Sequence, residues 1–485
     1  MGLSSALSIA NTGLSTVSRA AEIVSNNVAN ATVEGYARQD LALSAQLVGG
    51  HSAGVRIDAV IRSQSVQTTA ARRQSQSEFG ALQTEAQGRS QLASLLGLPG
   101  DADALASHMV AFEDALRAAA NAPDSTSLLA NLADRAGQVV NKLNGISTQT
   151  SAVRVGADRS IAQQVETVNM SLKQIESINA QIRMRARSGD TAGLEDERQR
   201  LIDQISSIIP IRQLARDGGD VALYSKGGVQ LLDGTAKQLS FTPTPVITPD
   251  MTLASGALSG LVVNGRPVSI GTGSGQMDGG SLGASFMLRD TIAPLFSARI
   301  DSIARDLAER FEDPAIDTTR APGDAGLFTD AGALSAPANE LGLAGRLRLN
   351  AIADPTQGGA TWRLRDGLGA ALPGDAGDAA LLVSMIAAIA APRAPSAGAG
   401  IAYSLGAADL AGEITADSFA ASHRVETKAA FSSGQFDVLR NRELGETGVN
   451  TDRELQNLLL IEQAYAANAR VISTVDSLLR TLMEI

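Results

Sequence analysis

The sequence predicts a mainly α-helical protein with β inserts: heptad helices at the two ends, a long-helix bundle between them, and a small β-rich outer part nested in the bundle. Three observations predict it. Apolar residues recur at heptad spacing at both extremes of the 485-residue chain. About 150 residues after Arg62 carry helical periodicity and few helix breakers. From Ile211 the pattern changes to alternation with Gly-rich turns.

At the N-terminus, Leu3, Leu7, Ala10, Leu14, Val17, Ala21, Val24 and Val28 follow one another in steps of four and three. That is the spacing of an a/d seam. Asn26, Asn27 and Asn30 interrupt it, and Gly35-Tyr36 follows, a helix stop with an extended exit. At the C-terminus, Leu458, Ile461, Tyr465, Asn468, Ile472, Val475, Leu479 and Leu482 repeat the same steps. Asn468 occupies a seam position, where one polar side chain fixes register at a cost in stability. Such helices pair with each other, pair with other copies, or pack on a core of their own.

Inside the ends, Ser63–Leu96 is helical and stops at Gly97, and Ala102–Asn121 is helical and stops at Pro123. A very long helix follows, opened by Leu128 and Leu132, continued through Ile161 and Val165 to Ile182, and broken at Ser188-Gly189-Asp190. Leu194–Ile209 is a short helix ended by Pro210. Ile211–Leu232 reads as β-hairpins turning at Asp217-Gly218-Gly219-Asp220 and Lys226-Gly227-Gly228. Residues 242–280 are β and loop, Asp290–Glu312 is helical, 313–373 carries short strands among Gly, Pro, Asp and Ala, and helices cover Asp375–Ala391 and Asp409–Arg442. The layout nests: 1–60 with 445–485 as a terminal coiled-coil unit, 61–312 with 374–444 as a helical-bundle unit with hairpins at about 211–280, and 313–373 as a small β/loop outer insert.

Composition excludes several function classes. The 40 Lys and Arg against 51 Asp and Glu leave a net charge of −11, which disfavours nucleic acid as a partner. Cysteine is absent, so disulfides, thiolate catalysis and Cys-ligated metals are excluded. Aromatics are 3 % of the chain, thin for a ligand pocket. No apolar run reaches membrane-spanning length, so no membrane partner is expected. Met1–Ser18 has no basic residue before Arg19 and no unbroken apolar core, so no cleaved signal peptide is expected.

Chemistry-bearing motifs are sparse. The five lysines are scattered and no phosphate-binding G-x-x-x-x-G-K-[ST] occurs. Gly271-Thr272-Gly273-Ser274-Gly275 reads as a loop. Asp301, Asp306, Glu309, Glu312 and Asp313 read as a solvated helix face. His51, His108 and His423 read as ordinary surface or capping residues. No catalytic, cofactor-binding or metal-ligating residue is assigned, no cofactor is expected, and the chain reads as a non-enzyme.

The end segments carry a resemblance. Ser25-Asn26-Asn27-Val28-Ala29-Asn30, Thr32 and Gly35-Tyr36-Ala37-Arg38-Gln39 resemble the N-terminal signature of the bacterial flagellar rod, hook and hook-associated axial proteins. Gly448-Val449-Asn450, Glu454 and Glu462-Gln463-Ala464-Tyr465-Ala466-Ala467-Asn468-Ala469-Arg470-Val471-Ile472 resemble its C-terminal signature. The helical interior resembles the hook–filament junction branch, through Leu194-Glu195-Asp196-Glu197-Arg198, Leu201-Ile202-Asp203-Gln204-Ile205-Ser206, Gly279-Gly280-Ser281-Leu282-Gly283-Ala284 and Leu288-Arg289-Asp290.

The resemblance implies a structural role at the hook tip, as the first junction layer on which the filament grows. It implies export through the flagellar type III apparatus to the outside of the cell. The terminal helices would form an inner tube, with Gly35 bending the chain out of it and Tyr36 anchoring the bend. The implied partners are copies of the chain in a ring or helical layer, hook protein below, a second junction protein (hook-associated protein 3) above, and a cytoplasmic export chaperone at about 448–485. The implied assembly interface is Leu3, Leu7, Leu14, Val17, Val24, Val28, Asn26, Asn27, Asn30, Gly35 and Tyr36 with Leu458, Ile461, Tyr465, Asn468, Ile472, Val475, Leu479 and Leu482. The alternatives are a hook or distal rod subunit, or a secreted enzyme or adhesin on a flagellar scaffold.

Overall fold

The computed structural model describes residues 2–33, 35–48, 51–98, 100–185 and 191–483. Among them lie twelve α-helices. The first half holds α1 (Leu3–Ala29), α2 (Val66–Leu95), α3 (Leu105–Asn121), α4 (Thr126–Arg185), α5 (Ala192–Ile208) and α6 (Gly280–Met287). The second half holds α7 (Ala293–Glu312), α8 (Leu343–Arg346), α9 (Arg363–Asp366), α10 (Ala380–Ala390), α11 (Ala407–Thr447) and α12 (Thr451–Met483). The expected break at 188–190 lies outside the described residues.

The scaffold is α4. Its 60 residues span about 90 Å at 1.5 Å per residue, too long for one core to cover. Its buried stripe therefore serves two. Leu129, Leu132, Val139, Leu143 and Ile146 enter a core shared with α3, α7, α10 and the start of α11. Ile161, Val165, Val168, Leu172, Ile175 and Ile182 enter a second core, closed by α5, α6 and small sheets.

Those sheets are antiparallel. β3 (Ile211–Ala215), β4 (Val221–Ser225), β5 (Gln230–Asp233) and β6 (Thr235–Ala236) form a meander in that order, with Ile211 opposite Ser225. The expected turn at 217–220 is present, with Gly218 and Gly219 at φ 72° and 83°. β7 (Leu239–Ser240), β8 (Val262–Val263) and β9 (Arg266–Pro267) form a second small sheet. α6 runs into α7 through a π-helical turn at Leu288–Ile292.

Three expectations about the elements are corrected. A long hairpin, β1 (Gln39–Val48) with β2 (His51–Arg62), occupies a stretch assigned only to the terminal coiled-coil unit. The helix expected from Asp375 starts at Ala380, because Asp375 and Asp378 turn back to accept the amides of Gly377 and Ala380. Residues 313–373 are not β-rich. Their described strands are β10 (Phe328–Asp330) and β11 (Leu347–Leu349), paired antiparallel. Leu327, Phe328, Leu343, Leu347 and Leu364 lie in the first core, where the Phe328 ring meets Phe112 and Phe311 at 5.7 and 5.5 Å.

The carboxylates of α7 are not a solvated face. Asp301, 1 % exposed, accepts the amides of Gly342 and Ala344 at 2.8 and 2.9 Å and fixes the start of α8. Burial pushes its carboxyl up to about 6. Asp306 pairs with Arg310 at 2.6 Å, both buried, and Glu312 holds Ser335. The glycine-rich loop is filled by its own chain, since Asp278 accepts amides from Gly271, Thr272 and Gly275.

Candidate assembly site at the paired termini

The two ends of the chain meet. Gly13 of α1 faces Asn468 of α12, and a Cβ at Gly13 would lie 2.9 Å from Asn468 Oδ1. Fourteen residues further along α1, Asn27 reaches Glu454, fourteen residues earlier in α12. The helices are therefore antiparallel, in one register over two heptads. β2 folds back on α1, with Thr12 Oγ1 against Gly54, whose φ of 119° puts a bare backbone at the contact.

Asn27 is the hub of this unit and is 1 % exposed. Its Oδ1 accepts from Tyr36 Oη at 2.8 Å and from the Gln39 amide at 3.0 Å. Its Nδ2 donates to the Gln39 carbonyl at 2.9 Å and to Glu454 Oε2 at 3.4 Å. Both lone pairs and both hydrogens of the amide are thus used. Burial pushes the Tyr36 phenol up to about 12, and the carboxylates of Asp196 and Glu454 act in the same direction. Glu454 is 2 % exposed, and its Oε1 has no hydrogen-bond partner.

The remaining expected residues divide by burial. Val24 and Val475 are buried within the chain. Leu3, Leu7, Leu14, Val17, Asn30, Gly35, Tyr36, Ile461, Asn468, Ile472 and Leu479 are half-buried. Asn26, Val28, Leu458, Tyr465 and Leu482 are exposed. Gly35 has φ 82°, in the left-handed region that favours glycine. Asn27 and Tyr36, which the resemblance puts in the assembly interface, hydrogen-bond to each other within the chain.

A second apolar series on α12 was missed. Leu455, Leu459, Leu460, Val471 and Leu478 are all exposed, Leu460 at 63 %. Leu460, Ala467, Val471 and Leu478 follow in steps of seven, four and seven, so a second heptad stripe was legible. The hairpin adds Leu43, Leu47 and Ile61, and α11 adds Phe431 and Val438, all exposed. One partner helix thus covers one face of α12 and leaves the other bare. Exposed apolar side chains in a stripe along a helix are what a protein-binding face requires.

Among the described residues, the terminal unit meets the body around Asp196 and Thr447. Asp196 of α5 accepts from Arg62 Nε of β2 at 2.5 Å and from the Ala37 amide at 3.4 Å. Arg62 Nη2 donates to the Gly35 carbonyl at 3.3 Å. The Arg38 amide donates to the Thr447 carbonyl, and the Ser63 amide to the Arg38 carbonyl, at 2.9 and 2.7 Å. No helix of the described residues is long and apolar enough to cross a membrane.

Comparison with known proteins gives two family matches. Residues 89–326 match the family described as flagellar hook-associated protein FlgK helical domain, and residues 443–485 match flagellar basal body rod FlgEFG protein C-terminal. Flagellar hook-associated protein 1 of Bacillus subtilis is 24 % identical over 504 aligned residues, covering 98 % of this chain and 96 % of that protein. The Salmonella typhimurium protein of the same name is 28 % identical over 255 residues, and the match spans 50 % of this chain and 45 % of that protein. The Escherichia coli one is 26 % identical over 334 residues, spanning 67 % of this chain and 59 % of that protein. Among solved structures, the flagellar hook junction protein FlgK from Burkholderia pseudomallei aligns over 55 % of this chain and 47 % of its own, at 22 % identity and a TM-score of 0.44.

Proposed function

This chain belongs to the flagellar hook-associated protein family, and we propose on that footing that it is a structural layer of the hook–filament junction, assembling at the hook tip and permitting filament growth. The observation that carries the reading is the uncovered apolar face of α12, set on a helix that its own chain already pairs once. A helix with one partner in cis and a bare stripe opposite is suited to packing against further copies in a closed layer.

The division of labour follows. Residues 1–60 with 445–485 form the inner axial unit, 61–312 with 374–444 the surrounding body, and 313–373 a short insert on it. The chain packs against its own copies, hook protein below, and hook-associated protein 3 above. A cytoplasmic export chaperone covers about 448–485 before export, shielding Leu455, Leu459 and Leu460. The protein leaves the cell through the flagellar export apparatus and acts outside it, as part of the flagellum. It catalyses no reaction. A secreted enzyme would need a cleft in 313–373, and that segment places Leu327, Phe328, Leu343, Leu347, Leu364 and Leu368 in the first core.

Immunogold labelling of purified hook–basal bodies with antibody to this chain tests the assignment. Gold confined to the distal end of the hook supports it. Gold along the hook or rod would make the chain one of those subunits instead.

A further inference from the structure

The connection between the paired termini and the body is narrow. The chain crosses it twice, at 63–65 after β2 and at 448–450 between α11 and α12, and both crossings lack regular structure. Two backbone hydrogen bonds, Arg38 to Thr447 and Ser63 to Arg38, tie these crossings together. Beside them lies a cavity of about 610 Å³, lined by Gly35, Tyr36, Arg62, Arg72, Arg200 and Glu443 among others. Close-packed side chains fix the relative position of two elements, and a cavity of this size removes that constraint on one side of the joint.

What bridges the joint is polar. Asp196 belongs to the body, Ala37 to the terminal unit, and Arg62 is the last residue of β2, whose hairpin carries the terminal unit two residues past the expected boundary at 60. The Arg62 and Asp196 side chains are 10 % and 14 % exposed. Arg62 also holds the bend at Gly35. One guanidinium thus fixes the end of β2, the loop after α1 and the N-terminal half of α5 relative to one another. Buried Arg72, with half-buried Glu443 and Asp203, forms a separate set that joins α2, α11 and α5 inside the body and does not cross the joint.

We infer that the Arg62–Asp196 pair is a latch that sets the angle at which the paired termini leave the body. Released, the terminal unit swings about the crossings at 63–65 and 448–450 as a hinge. Both residues are positioning residues: they fix where the apolar face of α12 points, without forming part of it. The inference concerns the isolated chain and stands apart from the flagellar reading.

The absence of cysteine makes the test direct. Cysteines are placed at exposed Gln74 on α2 and exposed Gln456 on α12, spin-labelled, and the distance distribution is measured by pulsed electron resonance in the otherwise intact chain. The parent gives one narrow distribution. Asp196→Ala roughly doubles its width, and Asp196→Asn, which keeps an acceptor for Ala37, widens it less. Circular dichroism of each variant checks that helix content is retained. A broad distribution in the parent, or an unchanged width in a folded Asp196→Ala chain, overturns the inference. Neither result bears on where the protein sits in the flagellum.

Discussion

The side chain of Asn468 lies against the bare backbone of Gly13, so that a polar seam residue of α12 meets α1 where α1 has no side chain at all. Together with the Asn27–Glu454 contact fourteen residues away on each helix, it sets an antiparallel register within one chain. A methyl group at Gly13 meets only the flexible end of Asn468, which can turn aside. A branched side chain cannot be housed. Gly13→Ala is therefore expected to change stability by no more than about 1 kcal/mol, the helix propensity of Ala offsetting the closer contact. Gly13→Leu is expected to separate the helices, and hydrogen exchange of amides 461–475 reads the loss. Equal protection in the parent and Gly13→Leu would show that this contact does not set the register.

Asn27 and Glu454 are predicted to behave oppositely. Removing the Asn27 amide orphans Tyr36 Oη and the half-buried Gln39 amide and carbonyl, so Asn27→Ala should destabilise the terminal unit by about 2–3 kcal/mol. Glu454 carries a buried oxygen without a partner. Glu454→Gln removes the charge, keeps an acceptor for Asn27 Nδ2, and should be neutral or stabilising by about 1 kcal/mol. Denaturant unfolding followed through a probe on α12 measures both. A larger loss from Glu454→Gln than from Asn27→Ala would contradict this ranking.

Tyr36 gives the unit an alkaline limit. Its phenol titrates near 10 unfolded and is pushed up to about 12 in the fold. Between those values the folded chain holds a proton that the unfolded chain has lost, so its contribution to stability is complete below pH 10 and lost as pH rises through 12. The terminal helices should loosen over that window in the parent, and Tyr36→Phe should flatten the slope. Circular dichroism and hydrogen exchange against pH, with the two chains compared, check the sign.

Arg289 is predicted to be the most damaging single loss in the body. It is 0 % exposed, pairs with Asp158 at 2.6 Å and Asp290 at 2.7 Å, and sits 5.0 Å from the Phe286 ring. Asp158 is also fully buried and accepts the Thr244 amide. Arg289→Leu leaves that carboxylate without its counter-charge, which costs about 3–5 kcal/mol. Loss of the cooperative thermal transition at physiological temperature, or a large fall in its midpoint, is the expected result. The double change Arg289→Leu with Asp158→Asn should recover part of it.

Periodicity made much of this fold legible, and distance along the chain hid the rest. The seams of α1 and α12 and the stripe of α4 could be read because three- and four-residue spacing maps directly onto one helical face. The β1–β2 hairpin was also written in the sequence, as Leu41, Leu43, Ala45 and Leu47 at period two, but the heptad beside it drew the assignment. Asn27 with Glu454, and Arg62 with Asp196, could not be read, because 427 and 134 residues separate the partners. The carboxylates of α7 were misread for a related reason. Their spacing looks solvated, and only the path of residues 313–373, with Gly342 and Ala344 laid over Asp301, buries them.

The central claim, a junction layer on which the filament is built, is tested most directly by deleting the gene, imaging the cells and assaying flagellin in the medium. Hooks of normal length without filaments, with flagellin lost to the medium, are the predicted result. Normal filaments in the deletion strain would contradict it.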